Sequence, residues 1–107
     1  MKTIKNEYYS NYGKFETIFA EKGAVVNAYS GLTVYAYEGS KVNAYKGSTV
    51  YAYKGSKVNA SNDGTVYAYE GSNVVAFNNA IVYAYEGSTV KAFDKSKIIS
   101  QKGEERK

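Results

Sequence analysis

The amino-acid sequence predicts an all-β protein, folded as a short two-faced parallel β-solenoid (β-helix). A motif of eight residues, Gly-Ser-x-Val-x-Ala-Tyr-x, recurs about eleven times between residues 15 and 101. In every copy but the last, a β-branched residue stands two places before Ala, which is the alternation of a strand and not the period of a helix. Because one such strand cannot bury its apolar face alone, we expect the copies to stack on one another.

The repeat is clearest in central copies such as GSKVNAYK (39–46) and fades toward both ends. The outermost copies are FETIFAEK (15–22) and KSKIISQ (95–101), in which Ile replaces Val. The repeat therefore predicts three parts: an N-terminal cap at 1–14, a β-solenoid at 15–101 and a charged C-terminal tail at 102–107.

Three positions of the motif are expected to point into a thin, dry core. The sixth position is Ala in every copy but the last, and the second is usually Ser or Ala. The fourth position supplies the residues Ile18, Val26, Val34, Val42, Val50, Val58, Val66, Val74, Val82, Val90 and Ile98.

The first position of the motif predicts a left-handed corner between strands. It is Gly in most copies, and in the middle of the array only Asp63 and Asn79 replace it. Asp and Asn are the residues that best tolerate a positive φ after Gly. A bulky or β-branched residue at this corner should therefore be costly.

A second period of 16 residues indicates that one coil contains two copies of the motif. The fifth position alternates between aromatic and mostly amide side chains, as in Tyr35, Asn43, Tyr51 and Asn59. The third position alternates between Thr and mostly Lys or Asn. One coil of about 16 residues therefore has two different faces, and the array makes about 5.5 coils.

One face collects the tyrosines, and we select its residues as the candidate partner-binding surface. The columns could simply be ladders that hold the coils together, because stacked aromatic rings stabilise neighbouring strands. They could also form a flat binding face, since Tyr is enriched at interface hot spots. The last column follows the inward Ala, so it either points outward or lies at the edge. The candidate residues are Tyr35, Tyr51, Tyr67, Tyr83, Tyr37, Tyr53, Tyr69, Tyr85, Thr33, Thr49 and Thr65.

The opposite face is more polar. We interpret the column Asn27, Asn43 and Asn59 as an amide ladder that runs along the stack. Acidic residues are interspersed among the lysines, so we interpret these as a solvated surface of mixed charge. The lysines concerned are Lys41, Lys46, Lys54 and Lys57.

Composition argues against several function classes. The chain has no Cys and no His, which excludes disulfides, the common zinc and copper sites, and His- or Cys-based catalysis. Glu38, Glu70 and Glu86 recur at one corner, which favours solvation over a catalytic pair. We therefore expect no enzyme activity, no cofactor and no metal site.

Charge and hydropathy give further expectations. The chain has 14 basic and 10 acidic residues without a basic stripe, so we do not expect nucleic acid as a partner. We recognise neither a signal peptide nor a membrane span, which predicts a cytoplasmic protein without a membrane partner.

The uninterrupted run of GSxVxAY copies resembles the octapeptide repeats of uncharacterised bacterial and bacteriophage β-solenoid proteins. The resemblance covers about 87 of the 107 residues and implies the same architecture. By analogy, small non-enzymatic phage proteins often bind and block a host protein, and anti-CRISPR and other anti-defence proteins are examples.

The leading functional hypothesis is a module that binds one protein partner or complex through the Tyr columns, plausible as a phage-type inhibitor. The alternative is a structural or self-assembling β-solenoid, as a homodimer or an end-to-end stack. Two further hypotheses rank below these. They are ice binding through the Thr column and binding of single-stranded nucleic acid on the Tyr rows.

Overall fold

The computed structural model describes residues 2–9 and 16–101, and these contain thirteen β-strands. Most strands have only four or five residues, because the remaining residues of each octapeptide form a corner. The strands are β1 (Lys2–Ile4), β2 (Glu7–Tyr9), β3 (Glu16–Ala20), β4 (Val25–Ala28), β5 (Leu32–Ala36), β6 (Lys41–Ala44), β7 (Thr49–Ala52), β8 (Lys57–Ala60), β9 (Thr65–Ala68), β10 (Asn73–Ala76), β11 (Ile81–Tyr85), β12 (Thr89–Ala92) and β13 (Lys97–Gln101). In this part of the chain, no helix is long and apolar enough to cross a bilayer.

Successive strands alternate between two parallel sheets. The odd-numbered strands β1 to β13 form a seven-stranded sheet, here called sheet A, and the even-numbered strands form the six-stranded sheet B. Paired residues are 16 apart, as in Val34, Val50 and Val66. The predicted two-faced parallel β-solenoid with a coil of 16 residues is therefore confirmed.

The core is the narrow layer between the two sheets, and it consists of the predicted columns. The Val column from Val26 to Val82 and the Ala column from Ala20 to Ala76 are buried throughout. Ser40, Ser48 and Ser56 are also buried, and each Oγ–H donates to the carbonyl oxygen three residues earlier at 2.6 Å. The Ser hydroxyl of the motif thus has a hydrogen-bond acceptor within its own turn, so this polar side chain can lie in an apolar layer.

The corners have the left-handed backbone that the first motif position predicts. Gly55 has φ +84°, and Asp63 and Asn79 both have φ +69°. Where Gly is replaced, the preceding residue also takes a positive φ, 48° at Asn62 and 54° at Asn78. Two consecutive left-handed residues are typical of a type I′ turn, which explains why Asn and Asp occur in pairs there.

The two ends of the solenoid differ from its middle. Strand β1 pairs with β3 and strand β2 with β4, so the segment expected to cap the array also supplies its first coil. Residues 10–15 and the predicted tail at 102–107 lie outside the described residues. At the other end, Ile98 is 42% exposed, whereas its counterpart Ile18 is fully buried. The last described coil therefore presents apolar side chains to solvent.

Candidate functional site

The candidate surface, called the Tyr face below, comprises the outward residues of sheet A and the tyrosines at the corner that follows it. Alternation along each strand places Thr33 and Tyr35 outward while Val34 points into the core. The next coils repeat this placement in register: Thr33 pairs with Thr49, and Tyr35 with Tyr51. The eleven predicted residues thus lie on one side of the molecule.

The first tyrosine column is a continuous stack of rings. Ring centroids are 4.9 Å apart for Tyr35 and Tyr51, 4.9 Å for Tyr51 and Tyr67, and 4.8 Å for Tyr67 and Tyr83. The planes of these neighbours differ by only 9–12°. Because each inner ring is covered on both faces, the column presents ring edges and phenol hydroxyls to a partner.

The second column lies where the strands of sheet A end, which resolves the alternative left open by the sequence: Tyr37, Tyr53 and Tyr69 follow their strands, and Tyr85 is the last residue of β11. Tyr37 begins the turn after β5, where its carbonyl oxygen accepts from the Ser40 backbone N–H at 3.0 Å, and its side chain is 38% exposed. Its ring stacks on Tyr53 at 5.3 Å. The two columns also touch, since the rings of Tyr35 and Tyr53 are 6.4 Å apart. The tyrosines therefore form one connected aromatic layer.

Packing perturbs the acidity of this layer. Burial raises the pKa of Tyr69 to about 12, and the neighbouring phenols of Tyr85 and Tyr53 contribute further. Burial also raises the pKa of Tyr53 and that of Tyr67, with smaller contributions from neighbouring tyrosines. These phenols are therefore neutral hydrogen-bond donors at physiological pH.

A concave site of about 510 Å³ lies at the N-terminal end of the aromatic layer. Phe19 begins the first column, with its ring centroid 5.2 Å from that of Tyr35. On the preceding coil, Phe19 pairs with Thr3, which has no ring to continue the stack. The other lining residues are Glu21, Lys22, Tyr37 and Glu38.

The opposite surface, called the Lys/Asn face below, comprises the outward residues of strands β4, β6, β8, β10 and β12. Asn43 Nδ2 donates to Asn27 Oδ1 at 3.1 Å, and Asn59 Nδ2 donates to Asn43 Oδ1 at 3.4 Å. The predicted amide ladder is therefore confirmed. Lys41 pairs with Lys57 beside it.

The corner at which Glu38, Glu70 and Glu86 recur also holds lysines, which the sequence reasoning did not place there. It follows sheet A and reads Lys22, Glu38, Lys54, Glu70 and Glu86 in successive coils, so the sign of the charge alternates over the first four coils and repeats in the fifth. The Glu38 side chain lies across the next corner, because a Cβ built on Gly55 would be 2.6 Å from Glu38 Cγ. Reading the eighth motif position at intervals of 16 residues would have revealed this pattern. Opposite charges on adjacent coils support the stacking weakly.

Among the residues that the structure describes, no three His, Cys, Asp or Glu side chains are grouped so that they could hold a metal ion. The covered ring faces also leave no room for nucleic-acid bases to stack within the columns, which is how single-stranded nucleic acids bind aromatic side chains.

Comparisons with known proteins found no match to this chain among protein-family models, curated proteins or solved structures.

Proposed function

We propose that this chain is a non-enzymatic protein-binding module that docks one protein partner or complex through the Tyr face. One observation supports this proposal above all: two adjoining columns of stacked tyrosines lie on or beside the part of sheet A from β3 to β11, where no outward side chain is charged, and the charged outward Lys97 lies beyond it on β13. The eleven outward positions of β3, β5, β7, β9 and β11 hold Thr, Ile, Phe and Tyr only. Depletion of charge together with enrichment of Tyr is typical of the centre of a protein interface.

The stack also favours binding because it fixes the side chains beforehand. Each ring of Tyr51 and Tyr67 is held between two others at about 4.9 Å, so little rotamer freedom remains to be lost on association. Ordering a flexible side chain at an interface otherwise costs about 0.5–1.5 kcal/mol. A rigid aromatic surface therefore keeps more of its contact energy as affinity.

The orientation of the rings defines the chemistry of the partner. Ring edges carry the positive end of the aromatic quadrupole, and the neutral phenols add hydrogen-bond donors. A complementary surface would therefore be rich in acceptors, such as backbone carbonyl and carboxylate oxygens. The concave site beside Phe19 would accept a planar side chain that continues the stack. An arginine fits it well, because Glu21 and Glu38 line the same site.

The resemblance to bacterial and phage repeat proteins extends the proposal to inhibition of the partner. A rod that covers a large surface can block a partner without any catalytic group. The corresponding test adds the purified protein to its captured partner and measures the partner's activity.

Two sets of variants test the Tyr face. In the first, Tyr35, Tyr51, Tyr67 and Tyr83 become Phe, which keeps the stack and removes four hydroxyls. In the second, the same four become Ser, which removes the rings. The matched control changes Tyr29 and Tyr45 to Ser, because they form a separate stacked pair at the other corner, with centroids 4.9 Å apart.

Circular dichroism first establishes that each variant is folded. We expect the Ser variant to lose the partner, the Phe variant to bind it more weakly, and the control to bind as the wild type. Equal binding by all three variants would refute the proposed surface.

Self-assembly is a second candidate function, favoured by the exposed C-terminal coil. Phe93 is 55% exposed and Ile98 is 42% exposed, and strands β12 and β13 end their sheets. Unpaired strand edges are templates for pairing with another chain. Sedimentation across a concentration range tests this function. Association that Ile98→Asp abolishes would support it, and a monomer at every concentration would exclude it.

A further inference from the structure

The Lys/Asn face contains a second concave site, on the side of the molecule opposite to the Tyr face. Its volume is about 340 Å³, within the range of small-molecule sites. Strands β6, β8, β10 and β12 line it, so it spans four successive coils of sheet B. The polar side chains around it are Lys41, Lys57, Lys91, Asn59, Asn73 and Thr89.

The shape of the site follows from one change in the amide ladder. The column runs Asn27, Asn43, Asn59 and then Val75, so the ladder stops where the cavity lies. Val75 is shorter than Asn and cannot continue the row of hydrogen bonds. The Asn59 amide, which donates to Asn43, is therefore the last in the row and borders open space.

The charge of the site has one sign. The ten outward positions of the five even-numbered strands β4 to β12 include three lysines and no carboxylate. The acidic residues Glu38, Glu70 and Glu86 lie at the corner that precedes strands β6, β10 and β12. The Glu70 side chain is directed along that corner, since a Cβ on Gly87 would be 2.7 Å from Glu70 Cγ. The lysines thus lie on the sheet face, whereas these carboxylates lie at its corner.

The register of the lysines adds an energetic reason for a ligand. Lys41 and Lys57 occupy directly paired positions on neighbouring parallel strands. Like charges at such positions repel and destabilise the sheet. An anion with several oxygens placed between them would replace that repulsion with charge-assisted hydrogen bonds.

We propose that this site binds a chain of phosphoryl groups, with a triphosphate as the simplest ligand. Lys41 and Lys57 neutralise one end, and Lys91 reaches the other end from two coils further along. The Asn59 and Asn73 amides and the Thr89 hydroxyl donate hydrogen bonds to the bridging and terminal oxygens. Three cations distributed over four coils suit an extended anion better than a single orthophosphate.

Calorimetric titration with inorganic tripolyphosphate tests this site, with orthophosphate and a nucleoside triphosphate as parallel probes. We expect saturable binding of tripolyphosphate that weakens with added salt, and much weaker binding of orthophosphate. Equal binding of the two triphosphates would identify the phosphate chain as the ligand, whereas preference for the nucleotide would show that its base is also recognised. The absence of saturable tripolyphosphate binding at low salt would overturn the proposal.

A pair of variants with equal charge separates this site from general attraction to a basic protein. Lys41→Gln with Lys57→Gln removes two charges from the site, and Lys46→Gln with Lys54→Gln removes two from the corners. We expect the first pair to weaken binding by roughly tenfold or more, and the second pair by only about twofold. Equal losses would overturn the proposal.

Two further readouts keep the test independent of folding. In NMR spectra, the side-chain amide signals of Asn59 and Asn73 should shift on titration with tripolyphosphate, whereas the signal of Asn27 should not move. The variant Lys41→Gln with Lys57→Gln should unfold at the same or a higher temperature than the wild type, because it relieves repulsion. Failure of this site would leave the proposed role of the Tyr face untouched, since the two surfaces share no residue.

Discussion

Replacement of Val50 by Ala measures how much the thin core contributes to stability. Val50 is fully buried and lies in register between Val34 and Val66. The substitution removes two methyl groups, which are worth about 1.6 kcal/mol of transfer free energy. A residual cavity of roughly 50 Å³ adds about 1 kcal/mol, because neighbouring coils held by the backbone ladder cannot collapse into it. The free energy of unfolding should therefore fall by about 2–3 kcal/mol.

Urea denaturation followed by circular dichroism measures this loss, and Val90→Ala is the matched control. Val90 occupies the same motif position but lies in β12, the edge strand of sheet B, where it is only partly buried. We expect Val90→Ala to cost less than half as much, with similar denaturant slopes for both variants. Equal losses, or a loss below about 0.5 kcal/mol at Val50, would refute the core assignment.

Further predictions concern the corners, the tyrosines and the amide ladder. Gly55 has a positive φ, so Gly55→Ala should lower the free energy of unfolding by about 1–2 kcal/mol in urea denaturation. In the same assay, Asp63→Gly should stay within about 1 kcal/mol of the wild type, because Gly also adopts a positive φ. In ultraviolet titration, Tyr69 should ionise near pH 12. The pKa of Tyr69 is higher in the folded protein than in the unfolded chain, so the folded state favours the neutral phenol. The contribution of Tyr69 to the free energy of unfolding is therefore complete below about pH 10 and is lost as the pH rises through 12. Asn43→Ala should cost about 1 kcal/mol in the same urea assay, since Asn43 both donates to Asn27 and accepts from Asn59; no loss would show that the ladder is incidental.

The coil and its core could be predicted from the sequence because both follow from periodicity. Alternation along a strand decides which side chains point inward, and the period of 16 residues decides which ones become neighbours on adjacent coils. The left-handed backbone of the corners could also be predicted, because Gly, Asp63 and Asn79 belong to the few residue types that tolerate a positive φ. In each case a local rule repeats unchanged along the chain, so one copy predicts the rest.

Features that depend on three-dimensional arrangement were not predictable. The segment at 1–14 lacks the octapeptide, yet β1 and β2 extend both sheets, because backbone pairing does not require the motif. The sequence also left open whether Tyr37 points outward, since its direction depends on where the turn begins. The cavity beside Val75 and the grouping of Lys41, Lys57 and Lys91 around it appear only when coils are stacked. Neither feature can be recognised from one strand alone.

The role of the Tyr face depends on contact with a partner, and site-specific photo-crosslinking in a lysate of the source cell measures that contact. A photoreactive side chain replaces Thr49 in the middle of the Tyr face, and in a matched variant it replaces Asn73 on the Lys/Asn face. We predict one crosslinked protein from the position of Thr49, which disappears when Tyr35, Tyr51, Tyr67 and Tyr83 become Ser, and none of that protein from the position of Asn73. The same crosslinked protein from both positions, or its retention in the Ser variant, would contradict a binding role for the Tyr face.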